Sequence, residues 1–441
     1  MRRKPLASSR LISLMWSCLC VFFLVSCGPC ASLRRDFDER WRFELQHLAL
    51  GERIDVSQRP HLRVDVSATA LELLSSLALK EHEAFTRSSV LPTPAGAWGR
   101  AGNINLEMDI RVDRISTVDR SDAMADTEVE LTLSTTVQAR FEIPGKRARW
   151  SWNARAAVRV PIFIDPQDPT VVVVSFEEAE LLHLEDRLPW EVEEVPNEIG
   201  DIVSNGIASS IEAMLLENQD ARLRVVRVET LNLSRVSLPV RLSSLVVNSE
   251  SGGLELGVVT ALRPVWTERT GTKSTYPPAP AGSVSVHVPS ATLDAAIRQK
   301  SLRGATPMTI TLAGGPNARR WTALWGASTM KGGVWEGRWD LWCFEGTPCR
   351  HRSFNAQARA WAQNGVMVAA RDALPREFGD EGSPEGAGVA SLAELQRMTM
   401  SEFTMSVIRG LLNAGSNSEI LPTIEDIRLD DGVQTTTFSI R

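Results

Sequence analysis

Ser328-Thr329-Met330-Lys331 is the one stretch of this chain in which a nucleophile stands at the spacing of a known catalytic motif, the S-x-x-K of penicillin-recognising enzymes. In those enzymes the serine opens a helix, and a later K-T-G strand helps hold the substrate carboxylate. Here Gly332-Gly333 follows at once and no lysine lies beyond Lys331. The motif lacks both its platform and its partner, so a hydrolase is the least favoured reading. There is no G-x-S-x-G elbow, no H-E-x-x-H pair and no phosphate-cradling glycine loop.

The six histidines (His47, His61, His82, His183, His287, His351) are scattered, with no pair at metal-binding spacing. Glu177, Glu178, Glu180, Glu185, Asp186, Glu191, Glu193 and Glu194 form an acidic run. Paired carboxylates could hydrolyse a glycoside or hold a divalent cation, but such a run reads first as a solvated surface. No catalytic residue, metal or cofactor is expected.

Cys343 and Cys349 flank Phe344-Glu345-Gly346-Thr347-Pro348, a turn that would join two antiparallel strands. In an oxidising compartment the spacing predicts a Cys343–Cys349 disulfide across a hairpin end. A metal site is the rival, and His351 alone does not complete one. Cys18 and Cys20 lie in the leader described next, and Cys30 is left over.

Residues 1–26 read as a lipoprotein signal peptide. Arg2, Arg3 and Lys4 form its basic start, and Leu11 to Val25 an apolar stretch too short to span a bilayer. Leu24-Val25-Ser26-Cys27-Gly28 resembles the bacterial lipobox, which makes Cys27 the lipid-attachment residue; cleavage after Ala31 is the alternative. With no acid at the next position, the expected address is the outer membrane, on its periplasmic or surface face. Loss of Arg2, Arg3, Lys4 and Arg10 takes the formal net charge from −6 to about −10. A chain that acidic does not bind nucleic acid through its net field.

The elements that must position any site are stated twice. Val64-Asp65-Val66-Ser67-Ala68-Thr69 leads into a short helix, and Val286-His287-Val288-Pro289-Ser290-Ala291-Thr292 leads into another. Each copy closes on a long helix, a Leu-Pro and two strands: Leu238-Pro239 and Gly252-Gly253 in the first, Leu421-Pro422 and Asp431-Gly432 in the second. After a tether over 27–58, this gives a first domain over 59–262, a Pro-rich linker over 263–282 and a second domain over 283–441. In the tether, Phe37, Trp41, Leu45 and Leu48 recur at helical spacing; the helix is expected to dock on the first domain, with contact at the membrane interface as the alternative.

Within the first copy, 103–115, 127–143 and 147–164 alternate apolar and polar residues, as an antiparallel sheet with one wet face requires. At ~3.3 Å per residue the middle segment would reach roughly 50 Å, so a bulge is expected. Ile199, Ile202, Val203, Ile207 and Ile211 stripe the helix that follows. In the second copy a Gly- and Pro-rich loop over 378–390 is expected before a helix over 392–413. Trp321, Trp325, Trp335, Trp339 and Trp342 read as core or as an aromatic platform for a sugar or lipid. The fold class is α+β, two tandem domains, each a long antiparallel sheet curled around a long helix.

The helix 196–217 followed by Leu238-Pro239 and Gly252-Gly253-Leu254, and the helix 392–413 followed by Leu421-Pro422 and Gly432, resemble the tubular lipid-binding (TULIP) superfamily over residues 60–441. The first domain has no cysteine, so the inter-strand disulfide of the family's mammalian members has no counterpart there. The resemblance implies an apolar groove between sheet and helix that takes acyl chains. Its lining would be Leu131, Leu133, Val137, Phe141, Trp150 and Trp152 from the strands, with Ile199, Val203, Ile207 and Ile211 from the helix. The expected function is thus a non-catalytic envelope lipoprotein that binds a lipid or other hydrophobic ligand. The alternative is a structural or assembly module of the outer membrane that recruits a protein partner; an envelope hydrolase ranks last.

Overall fold

The alternating segments of the first copy become three long neighbouring strands in the computed structural model. The structure describes residues 29–48, 54–55, 59–79, 84–93, 102–117, 128–143, 146–186, 197–228, 230–233, 236–248, 252–266, 276–302, 306–312, 318–346, 348–371, 375–378, 383–412 and 422–440. Helix α1 (Pro29–Gln46) precedes the first half. That half runs β1 (Leu62–Val66), α2 (Ala68–Leu79), β2 (Phe85–Thr93), β3 (Gly102–Thr117), β4 (Glu128–Ile143), β5 (Lys146–Ile164), β6 (Val171–Ser175), β7 (Glu180–Asp186) and α3 (Asn197–Glu217). It ends in β8 (Arg222–Arg227), the short pair β9 (Leu231–Leu233) and β10 (Val236–Leu238), β11 (Val240–Asn248) and β12 (Gly253–Thr260). The second half runs β13 (Ser283–Pro289), α4 (Ser290–Ser301), β14 (Met308–Leu312), β15 (Arg319–Lys331), β16 (Val334–Cys343), β17 (Arg350–Gln363), β18 (Val366–Arg371), α5 (Pro384–Leu412), β19 (Pro422–Asp430) and β20 (Val433–Ile440).

The architecture is α+β, with one curled antiparallel sheet in each half. The first has the order β2-β3-β4-β5-β6-β8 with β7 also paired to β5, and the second the order β14-β15-β16-β17-β18. The bulge expected in 127–143 is not there: β4 runs unbroken along β5, and the register shift falls on β3, between Val112 and Arg114.

A third sheet, β11-β12-β1-β13-β20-β19, takes three strands from each half. At its centre β1 and β13 pair antiparallel, Val64 opposite Val286 and Asp65 opposite Ser285. The strands that open and close the doubled phrase therefore meet in one sheet. A three-stranded β11-β12-β1 sheet would leave β1 as an open edge, and β13 covers it. Ser67 and Ser283 reinforce the junction, the Ser67 N–H donating to the Ser283 carbonyl and the Ser283 N–H to Ser67 Oγ, both at 3.1 Å. One continuous apolar core runs through both halves.

Two expectations are corrected here. Helix α1 docks on the second half, not the first: Phe37, Trp41 and Leu45, with Leu48 beyond the helix end, pack against Leu302, Leu324, Trp342 and Phe344. A buried charge cluster fixes it, with Glu44 Oε2 2.7 Å from Arg298 Nε of α4 and Glu44 Oε1 2.9 Å from Arg40 Nη2. Second, α5 begins at Pro384, inside the stretch expected to be loop. Ser383 Oγ accepts the Gly386 N–H at 3.0 Å and caps the helix. At Gly388 a Cβ would lie 2.8 Å from the Thr311 carbonyl oxygen, so the glycine marks close approach to β14 rather than a break.

Candidate functional site

Helix α3 runs against β2 on one side and β7 on the other, the two flanks of the β2-β3-β4-β5-β7 arc. One helix touching both flanks requires the sheet to curl into a tube, with the inner faces of β3, β4 and β5 looking at the helix. Those inner faces are apolar apart from buried Thr135 on β4. Leu131, Leu133 and Val137 of β4 have no exposed surface, and neither do Ile199, Val203, Ile207 and Ile211 of α3. Phe141 and Trp152 are buried, and half-buried Trp150 stands edge-on to Phe141 at 4.5 Å between ring centres. All ten residues named from the sequence thus belong to one apolar layer. The opposite face is wet, with Arg140 3.3 Å from Glu107 and Arg149 Nη2 donating to Gln138 Oε1 at 2.5 Å.

The seam between α3 and the edge strand β2 has three rungs. Arg87 binds the Glu217 carboxylate through both Nη atoms, at 2.5 and 2.9 Å. Ser210 Oγ lies 3.3 Å from Ser89 Oγ and donates to the Gly206 carbonyl. Leu91 fills the notch at Gly206, where a Cβ would sit 2.3 Å from Leu91 Cδ1. Small residues on the helix bring it down onto the strand, as Gly206, Ser204 and Ser210 in the sequence suggest.

The second half is filled differently. Trp325, Trp335 and Trp339 are fully buried, Trp325 and Trp339 edge to face at 5.0 Å. Gly337 makes room for Trp325, whose ring would lie 1.9 Å from a Cβ there. Trp321 and Trp342 are buried too. The tryptophans are core.

No protein-family model matches the chain, and no curated protein does. Among solved structures, the crystal structure of lipopolysaccharide binding protein is similar in fold at a TM-score of 0.35. It is 10% identical, and the match covers 87% of this chain and 99% of that one.

The remaining candidates resolve into packing. Ser328 lies on strand β15, buried, and donates to Asp294 Oδ1 at 2.5 Å, beside the Trp325 indole N–H at 2.9 Å. Lys331, an odd number of residues away on a strand, points to solvent. Burial holds the Asp294 carboxyl up at about 6, against the bonds from Ser328 and Trp325 and the charge of Arg298. Of the acidic run, Glu180 pairs with Arg159 at 3.1 Å, and Glu191, Glu193 and Glu194 lie outside the described residues. Among the described residues no three His, Cys, Asp or Glu side chains converge on a cation site.

The expected Cys343–Cys349 disulfide is corrected. Cys349 bonds Cys30, with a Cα–Cα distance of 5.1 Å, and Cys343 is a free, buried thiol. Cys343 shares its strand face with Trp335, Trp339 and Leu341, so its side chain points into the core. Cys349 precedes β17 at the rim, where α1 passes. Cys27 and the leader lie outside the described residues.

One constellation went unread in the sequence. His287 Nε2 lies 2.7 Å from Asp65 Oδ2 and His287 Nδ1 3.0 Å from Thr435 Oγ1. A hydroxyl, an imidazole and a carboxylate in line are the parts of a nucleophilic triad. Here the imidazole is fully buried and Tyr276 stacks on it at 4.6 Å, so the line serves to join the two halves.

Proposed function

We propose that this protein is a non-catalytic envelope lipoprotein of TULIP-like build that holds an acyl chain or similar hydrophobe between α3 and the β3–β5 wall. The reading is carried by one observation: a single helix bridges both flanks of a curled sheet over an inner layer that is apolar but for Thr135. Burying one chain of about 16 carbons offers roughly 10 kcal/mol before ordering costs, at ~0.8 kcal/mol per CH₂. Diacylglycerol on Cys27 would keep the body within tether reach of the outer membrane, on its periplasmic or surface face.

The second reading, a structural or assembly module that recruits a protein partner, is favoured by the absence of exposed surface on Leu131, Leu133, Val137 and the α3 isoleucines, as in a solid core. Native mass spectrometry of the full Cys27→Ser chain separates the two. Lipid-bound species are expected, and Ile207→Trp should empty them with the fold retained. A chain that carries no lipid and takes up none offered to it would leave the assembly module.

A further inference from the structure

Arginines gather at the turn between β16 and β17. The Arg34 guanidinium of α1 lies 5.5 Å from the Phe344 ring centre. Arg319 Nη2 is 3.7 Å from where a Gly346 Cβ would be, and the Arg320 backbone N–H donates to Glu345 Oε2 at 2.9 Å. Arg350 opens β17 next to Cys349. Arg34, Arg320 and Arg350 are exposed and Arg319 is half-buried; Glu345 lies among them, and Asp36, Asp38 and Glu39 are exposed on α1.

The Cys30–Cys349 bond lies at this same turn. Cys27 precedes Cys30 by three residues, a span of at most ~11 Å of extended chain. Acyl groups on Cys27 would therefore hold this end of the second half within about one Debye length of the headgroups. The mature chain is acidic, near −10, so an anionic surface repels it as a whole. Arg34, Arg319, Arg320 and Arg350 nevertheless stand together where the anchor is shortest.

We infer that the β16–β17 turn and the start of α1 form a membrane-apposed surface, on which Arg34, Arg319, Arg320 and Arg350 take the phosphates of an anionic lipid bilayer. Guanidinium forks match phosphate oxygens in geometry and in charge. The inference rests on lipid attachment at Cys27 in the proposed function and is independent of what α3 covers.

The test uses the full Cys27→Ser chain, which cannot be acylated, in co-sedimentation with vesicles. Binding is expected to phosphatidylcholine mixed with phosphatidylglycerol, to fall with added salt, and to be absent with phosphatidylcholine alone. Arg34→Glu with Arg350→Glu should lower the partition at least roughly 25-fold, about fivefold per arginine; the paired Lys variants should keep most of it. Thermal melting and non-reducing electrophoresis confirm that each variant is folded and cross-linked. Equal partition into both vesicle types, or an unchanged partition of the folded Glu variant, overturns the surface. Intact-mass measurement of the native chain reads the anchor separately: a Cys27 that carries no acyl groups overturns lipid attachment and leaves the vesicle result standing.

Discussion

Asp65 and His287, the central residues of the two Val-x-Val phrases, bond to each other across the β1–β13 pair at 2.7 Å. Each half supplies one partner, so the contact can form only when both halves are in place. Asp65→Ala leaves a buried ring nitrogen without its acceptor and should cost about 1–3 kcal/mol. Urea denaturation followed by tryptophan fluorescence is expected to show one transition, shifted to lower urea. Two separated transitions would contradict the coupling of the halves.

Glu44 and Arg298 set the docking of α1, with side chains 0% and 4% exposed. Burial pushes the Glu44 carboxyl up, and the charges of Arg298 and Arg40 pull it back. Removing one member strands a buried charge, so Glu44→Ala should destabilise by about 3–5 kcal/mol. Adding Arg298→Met to that variant should recover much of the loss. An additive double variant in chemical denaturation would show that the two groups are not coupled.

Peptide mapping under non-reducing conditions should recover a Cys30–Cys349 link, with Cys343 alkylated only after unfolding. Cys349→Ser is expected to cost about 2–5 kcal/mol and to expose the start of α1 to protease. A Cys343–Cys349 peptide would refute the pairing.

The pH dependence has two opposed parts. Burial pushes the His61 ring from 6.5 down to about 4. Its Nδ1 accepts the Thr260 N–H at 3.1 Å, which keeps the neutral form in place. The unfolded chain takes up that proton first, so stability is lost as pH falls from 6.5 to about 4, by about 3 kcal/mol. Asp294, raised from 3.8 to about 6, is protonated first in the folded state, so stability is gained as pH falls across that window, again by about 3 kcal/mol. The two nearly cancel. Asp294→Asn should unmask the His61 loss, and denaturation midpoints at pH 7 and pH 4 should diverge more in the variant than in the parent. Parallel curves would argue against either shift.

The strand faces of 103–115, 127–143 and 147–164 and the α3 stripe were legible because their periods are local: every named lining residue lies on the buried side. What was not legible is what pairs with what. β1 opposite β13 joins residues more than two hundred positions apart, and the sign available was an Asp and a His, each set between two valines. The Cys343–Cys349 expectation followed nearness in sequence. The alternation Trp335, Trp339, Leu341, Cys343 already turned that thiol inward, and Cys30 was the partner left at the rim. The loop expectation over 378–390 rests on its glycines, and close helix–strand approach, as at Gly388, uses the same residue as a loop.

The β1–β13 pairing also fixes what a fragment of this protein would be. Cut at the Pro-rich segment, the first half keeps β11-β12-β1 and the second keeps β13-β20-β19, and each ends in a bare strand of hydrogen-bonding groups. The surface each half would then offer is complementary to a strand of its own kind running the opposite way. A half expressed alone would satisfy it with a second copy, the true two-fold of a homodimer standing in for the approximate two-fold of the intact chain.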